Sequence, residues 1–204
     1  MITIVDNGMA NVGSVHNIIK YLGYNAVVTN EVHIINDATK IILPGVGSFD
    51  KGIKALNDLG LKDILNKKVL IDKIPVLGIC LGLQLMTRGS EEGELKGLGW
   101  FDADTIKFNQ DTDKTIRIPH MGWNSIQPRK FEEMFLKIND ETRCYFVHSY
   151  YVKADDDKDI LTSTIHGIEF HSALQKDNIF GVQFHPEKSH KFGMHFMKSF
   201  LEFK

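Results

Sequence analysis

Apolar residues in the first half of the chain fall into short continuous runs separated by segments of helical period. Ile2 to Val5 is one such run, ended by the turn signal Asp6-Asn7-Gly8. From Val12 to Leu22, residues Val12, Val15, Ile18, Ile19 and Leu22 share one helical face. Tyr24 to Thr29 is rich in strand-favouring residues, and Lys40-Ile41-Ile42-Leu43 reads as a buried strand stopped by Pro44-Gly45. A helical stretch follows from Phe49 to Asn66, its edges weakened by Gly52 and Gly60, and then the apolar run Pro75-Val76-Leu77-Gly78-Ile79. Strands that are apolar throughout, alternating with helices, predict a parallel sheet covered on both faces.

The second half reads differently. Trp100 to Ile126 holds short mixed segments without helical period, which predicts antiparallel strands and hairpins. Arg143 to Val152 reads as one strong strand, Asp155 to Asp159 as a solvated turn, and Ile160 to Ile165 with Ile168 to Leu174 as a hairpin around His166-Gly167. Ile179 to Phe184 is the last predicted strand, and Ser189 to Phe203 a closing helix. No repeat, low-complexity tract or linker interrupts the chain. The expected fold class is therefore α/β, a mostly parallel central sheet flanked by helices with additional antiparallel strands, in one domain over residues 1–204.

Composition narrows the picture by exclusion. The 204 residues carry a formal net charge of −2 with no stripe of Lys and Arg, so neither nucleic acid nor a membrane surface is an expected partner. No apolar run approaches the length of a membrane span, and Met1 to Asp6 reads as a strand rather than a signal peptide. Two cysteines are too few for a disulfide framework, which fits a reducing, cytoplasmic setting.

One of those cysteines sits where chemistry is expected. In Gly78-Ile79-Cys80-Leu81-Gly82 a buried strand meets a helix, with a glycine two residues to either side of the thiol. This is the logic of a nucleophile elbow: a turn too tight for side chains at its flanks, holding the sulfur above the sheet edge. The N–H groups of the following helix favour a thiolate, and the amide of Leu81 is placed to bind an oxyanion. Such a nucleophile needs a base and an orienter for that base. Phe184-His185-Pro186-Glu187 offers both, with Glu187 placed to fix the imidazole tautomer. His166 and His171 lie in one hairpin without H-x-x-x-H or H-E-x-x-H spacing, so no metal site is expected. No G-x-G-x-x-G or Walker pattern is present, and no cofactor is expected.

These motifs resemble the class I (triad-type) glutamine amidotransferases. Three further segments resemble the glutaminase subunits of imidazole glycerol phosphate synthase: Pro44-Gly45-Val46-Gly47-Ser48-Phe49, Pro119 to Asn124, and Tyr145 to Tyr150. The resemblance runs from Ile2 to the C-terminal helix. It implies a flavodoxin-like fold and a triad of Cys80, His185 and Glu187. It also implies a mobile oxyanion strand whose Val46 and Gly47 work with Leu81. L-Glutamine would be held by Gln84, Glu92 and the backbone around His148, Ser149 and Tyr150. His120, Met121, Trp123, Asn124 and Lys188 match positions that dock a (β/α)8-barrel cyclase, forming a heterodimer. The family opens with an aromatic residue, a second glycine and an arginine where this chain has Asn7, Ala10 and Gly13. These departures leave open a paralogous amidotransferase that supplies ammonia to another synthase, such as a sugar-aminating enzyme.

Overall fold

The computed structural model describes residues 1–109, 116–129 and 142–203. Four parallel strands form the first half of a central sheet: β1 (Ile2–Val5), β2 (Ala26–Thr29), β3 (Lys40–Gly45) and β4 (Val76–Cys80). Their order is β2-β1-β3-β4, and β12 (Ile179–Val182), from near the C-terminus, adds in parallel beside β4. The strand that leads to His185 therefore lies next to the strand that ends in Cys80. Beyond β12 the sheet turns antiparallel through β11 (Ile168–Lys176), β10 (Ile160–His166) and β7 (Gln127–Pro128). β5 (Ala103–Lys107) and β9 (Tyr150–Ala154) branch from β11, while β6 (His120–Ser125) and β8 (Arg143–His148) form a separate antiparallel pair.

Side chains alternate across the parallel strands and build a core on each face. Val5, Ile41 and Leu43 point to one layer, where Phe49, Leu56, Leu61 and Leu85 pack; Ile4 and Ile42 point to the other, with Val15, Ile19, Phe184, Phe196 and Phe200. Helices α2 (Val32–Asn36), α3 (Phe49–Asp58), α4 (Leu61–Asn66) and α5 (Leu81–Leu85) cover the first face. Helices α1 (Val12–Tyr21) and α6 (His190–Glu202) cover the second. Lys40 donates from Nζ to the carbonyls of Phe200 and Phe203, which anchors the end of α6 to the start of β3.

The structure corrects several boundaries. Pro44 and Gly45 do not stop β3: its ladder to β4 runs on to Gly45, whereas its ladder to β1 ends at Ile42. A proline is thus tolerated without loss of a bond on the β1 side. The predicted helix from Phe49 to Asn66 is two helices, because Gly60 takes a left-handed conformation (φ +65°) between them. The predicted strand from Arg143 to Val152 breaks at Ser149, where the chain leaves the small sheet for the large one. The stretch from Trp100 to Ile126 does hold antiparallel strands, β5 and β6, which pair with β9 and β8; residues 110–115 of that stretch lie outside the described residues. Helix α2 and the π-helical turn Lys67–Ile71 have no counterpart in the sequence reading. Among the described residues, no helix is long and apolar enough to cross a membrane.

Candidate active site

Three neighbouring parallel strands, β3, β4 and β12, end together, and the candidate site forms at their C-terminal edge. β3 delivers Val46 and Gly47, β4 delivers Cys80, and β12 runs into His185. The junction at Cys80 is strained: its φ is +54° and its ψ −109°, a backbone state that a non-glycine residue holds only under surrounding constraint. Gly82 and Gly78 supply that constraint. A Cβ on Gly82 would stand 1.8 Å from the carbonyl oxygen of Leu43, and one on Gly78 would stand 2.7 Å from the amide of Leu83. The sheet and α5 therefore approach at backbone distance, and the thiol is carried over the edge. Leu81, as the first residue of α5, has an N–H with no acceptor inside the helix.

His185 is held from several sides. Its amide donates to Tyr145 O at 2.9 Å, and Ser189 Oγ donates to its carbonyl at 2.6 Å while accepting from the amide of Tyr145. The Nδ1–H of His185 donates to Glu187 Oε1 at 2.7 Å, and both side chains are buried. A carboxylate accepts only, so Nδ1 bears the proton and Nε2 is left for chemistry. Nε2 makes no ideal hydrogen bond, yet Cys80 lies close enough to act on the ring. Burial opposes a charged imidazole, but Cys80 and Glu187 together outweigh it and raise the pKa of His185 from 6.5 to about 10. The imidazole is accordingly held in its charged form, facing the sulfur of Cys80. α5 is only five residues long, a short helix for the dipole support of the sulfur that the sequence suggested.

Cys80 opens onto a cleft of about 340 Å³. Val46, Gly47, Leu81, Gln84, Glu92, His148, Ser149 and Tyr150 line it, joined by Pro119 and Val147, which the sequence reading did not single out for this role. One oxygen of Glu92 accepts from the amide of Phe49 at 2.8 Å, at the N-terminus of α3, so the carboxylate is fixed at the cleft wall. Gln84 donates through Nε2 to Tyr150 O at 3.0 Å. In the segment expected to serve an oxyanion, the amide of Val46 is already engaged, donating to Met9 O at 2.5 Å, and Gly47 has φ +103°. Met9 escaped the sequence reading, since nothing in Gly8-Met9-Ala10 shows which backbone its carbonyl meets.

The family description "Glutamine amidotransferase class-I" matches residues 3–202. The chain belongs to this family. Among relatives of the amidotransferase, "Imidazole glycerol phosphate synthase subunit HisH 2" of Methanococcus maripaludis is 54% identical, covering 99% of each chain. A protein of the same name from Pseudomonas aeruginosa is 46% identical, again over 99% of both. The HisH subunit of Bdellovibrio bacteriovorus is 43% identical over 99% of this chain and 100% of its own. In fold, the amidotransferase resembles a solved glutamine amidotransferase at a TM-score of 0.76 and 15% identity, covering 98% of this chain and 97% of that one.

The residues expected at a partner surface divide in two. Met121 is 63% and Trp123 45% exposed; Trp123 stacks on His190 at 5.3 Å, and Lys188 Nζ lies 5.6 Å from the Tyr145 ring centre. His120 differs. It is buried, because β6 pairs with β8 in a register that sets His120 opposite His148, and it hydrogen-bonds to Asn124 and stacks on His166. Burial lowers the pKa of His148 to about 3 and of His120 to about 4, so both rings are neutral. Tyr150 O accepts from His148 Nδ1 at 2.8 Å, which leaves His148 Nε2 to accept from His120 Nδ1 at 2.9 Å. His120 Nε2 then accepts from Asn124 Nδ2 at 3.1 Å. Cys144, on β8, has its thiol pushed up to about 12 by burial, partly offset by Ser189, and is no rival nucleophile. Among the described residues, no group of three His, Cys, Asp or Glu side chains is placed to hold a metal ion.

The His185 assignment has a spectroscopic consequence. The folded pKa lies above the unfolded value, so its stabilising contribution is complete below pH 6.5 and fades as pH rises toward about 10. NMR titration of His185 is expected to give a midpoint above about 8 in the native protein, and a lower one in Cys80→Ala, where a support for the charge is gone. A midpoint near the unperturbed value in both proteins would contradict the ion pair.

Proposed function

We propose that this chain is the glutamine-hydrolysing subunit of an imidazole glycerol phosphate synthase, passing ammonia to a (β/α)8-barrel cyclase subunit. The observation that carries the chemistry is a strained Cys80, beside a His185 bonded to Glu187, at the floor of a cleft that also presents Glu92. The carboxylate of Glu92 suits the α-ammonium of glutamine. The Cys80 thiolate attacks the side-chain carboxamide carbon, and the oxyanion is held by the amides of Leu81 and of the Val46-Gly47 strand. His185 gives its proton to the departing ammonia, leaving a glutamyl thioester. It then takes a proton from water, whose oxygen displaces the sulfur and yields glutamate. The triad and the glutamine contacts act in one domain spanning the chain. Met121, Trp123, Asn124 and Lys188 face the partner, with Trp123 as the aromatic anchor.

The amide of Val46 is engaged by Met9 in the isolated chain, so one oxyanion donor is absent until that peptide turns. Partner docking supplies the energy for the turn, which matches the need to avoid hydrolysing glutamine when no acceptor waits. Glutamate release by the purified chain is therefore expected to be slow alone. It should rise at least about 100-fold with the cyclase subunit of the same genome and its ribonucleotide ligand, the scale of one oxyanion donor. No hydrolysis under either condition would remove the glutaminase reading.

A second reading is a paralogous amidotransferase feeding a different synthase, such as a sugar-aminating one. Asn7, Ala10 and Gly13 support it. Hydrolysis that the cyclase leaves unchanged would favour it.

A further inference from the structure

Within Gly181 to Glu187, Gln183 is the polar residue to which the chemistry above gives no part. It directly follows β12, is completely buried, and its backbone N–H is already spent on Ser172 O at 2.9 Å. A buried primary amide is costly unless both of its ends are satisfied. Both ends of Gln183 are engaged inside the site. Its Oε1 accepts from Gln84 Nε2 at 3.1 Å, and its Nε2 donates toward Cys80 Sγ at 3.7 Å.

The direction of this chain is decided at its far end. Tyr150 O is a backbone carbonyl and can only accept, so Gln84 must present its amide nitrogen there. The second hydrogen on that nitrogen then points at Gln183, which must answer with its oxygen. That leaves the nitrogen of Gln183 for the sulfur. Turning Gln183 alone would set two N–H groups face to face and present a carbonyl oxygen to a thiolate. Turning Gln84 would set oxygen against both Tyr150 O and Gln183 Oε1. His148 Nδ1 also donates to Tyr150 O, which holds the junction in place.

We infer that Gln183 is a further catalytic residue of this amidotransferase, donating a hydrogen bond from Nε2 to Cys80 Sγ under an orientation imposed by Gln84 and the Tyr150 carbonyl. The inference rests on the reading of Cys80 as the nucleophile. A neutral thiol sulfur is a weak acceptor and a thiolate a strong one, so this bond favours the charged sulfur beside the His185 imidazolium. It also limits where the sulfur points when glutamine arrives. In the thioester the sulfur is uncharged and the bond weakens. As water attacks and the C–S bond breaks, the electron pair returns to sulfur and the bond strengthens again, which assists the second step. Gln84 is in turn a positioning residue for Gln183, and with its nitrogen saturated it can offer glutamine only its oxygen.

Two variants of the full chain separate this role from a merely structural one. Gln183→Glu keeps the shape and an oxygen toward Gln84 but replaces the donor at the sulfur with an acceptor. Gln183→Met keeps the bulk and removes both bonds. Iodoacetamide alkylation of Cys80 is followed by peptide mapping, which distinguishes it from buried Cys144. Relative to its own rate at about pH 9, alkylation at about pH 6 is expected to drop at least ~10-fold in Gln183→Glu and ~3-fold in Gln183→Met. Turnover with the partner should fall by about 30-fold in Gln183→Glu while KM stays within about threefold, since the bond acts on the sulfur rather than on bound glutamine. A residue that only packs would lower the thermal midpoint and leave the pH profile of alkylation unmoved. Unchanged profiles in both variants, with Cys80 reactive, would overturn the role of Gln183 alone. A native Cys80 as inert as Cys144 would overturn the nucleophile reading and this inference with it.

Discussion

Replacing Cys80 with alanine is expected to abolish glutamine hydrolysis, by a factor of at least about 10⁴, while the chain still folds and binds its partner. The size of the effect follows from covalent catalysis. Without the sulfur no thioester forms, and His185 is left to activate water against an unstrained amide with half an oxyanion hole. The fold should survive because the side chain lost is small, and because the strain at position 80 comes from the close packing of β3, β4 and α5 rather than from the thiol. The substituted alanine would still be held at positive φ, so the thermal midpoint is expected to move by only a few degrees, the scale of about 1 kcal/mol. Partner binding should persist because Met121, Trp123 and Lys188 lie on elements that do not include Cys80. Glutamate release and co-elution with the cyclase subunit measure the two claims separately. Activity near that of the native chain would remove Cys80 from the mechanism, whatever the geometry around it.

A large loss of stability is expected at Gly82. An alanine there would place its Cβ 1.8 Å from Leu43 O, inside β3, where no flexible side chain can yield. Either α5 lifts from the sheet or β3 bends, and both separate the buried Leu81, Leu83 and Leu85 from the strands they cover. The cost is expected to reach about 3 kcal/mol or more, the upper range for overpacking a well-filled interior. Gly60→Ala is the opposite case. Gly60 has a positive φ, +65°, which Gly82 does not, and a Cβ there meets nothing within 4 Å. Its expected cost is about 1 kcal/mol, that of left-handed backbone alone. Urea unfolding of the two variants decides the matter: equal midpoints would mean that the approach of α5 to β3 is not as tight as described. Gly82→Ala should also slow turnover before it unfolds the chain, because Leu81, the proposed oxyanion donor, sits between the displaced residue and Cys80.

Much of the molecule can be read from local pattern, and the reason is physical. A parallel strand buried on both faces must be apolar throughout, so Ile2–Val5, Lys40–Leu43 and Val76–Ile79 declare themselves without a partner in view. The turn at Cys80 admits only glycine at its flanks, so Gly78 and Gly82 mark it in the bare sequence. His185 and Glu187 are two residues apart, and their hydrogen bond is a local fact of a strand end followed by Pro186. Interactions of this kind depend on short stretches of chain, and short stretches are what periodicity and motif report.

Where an interaction joins distant segments, local pattern carries no register. Arg143 to Val152 reads as one strand, and only pairing with β6 on one side of Ser149 and with β5 on the other divides it. His120 matches a docking position, yet its place opposite His148 buries it. Gln84 and Gln183 are 99 residues apart, and Gln183 and Cys80 are 103 apart. A glutamine after an apolar run does hint at an engaged buried amide, but not at which atom it serves. The sequence alone determined most of the elements, the tight turn at Cys80 and the neighbourhood of His185 and Glu187, because backbone sterics and burial act over a few residues. The tertiary structure decided which amide faces the sulfur, which carbonyl holds the Val46 amide and which histidines touch. Those contacts exist only once strands far apart in the chain have taken their order in the sheet.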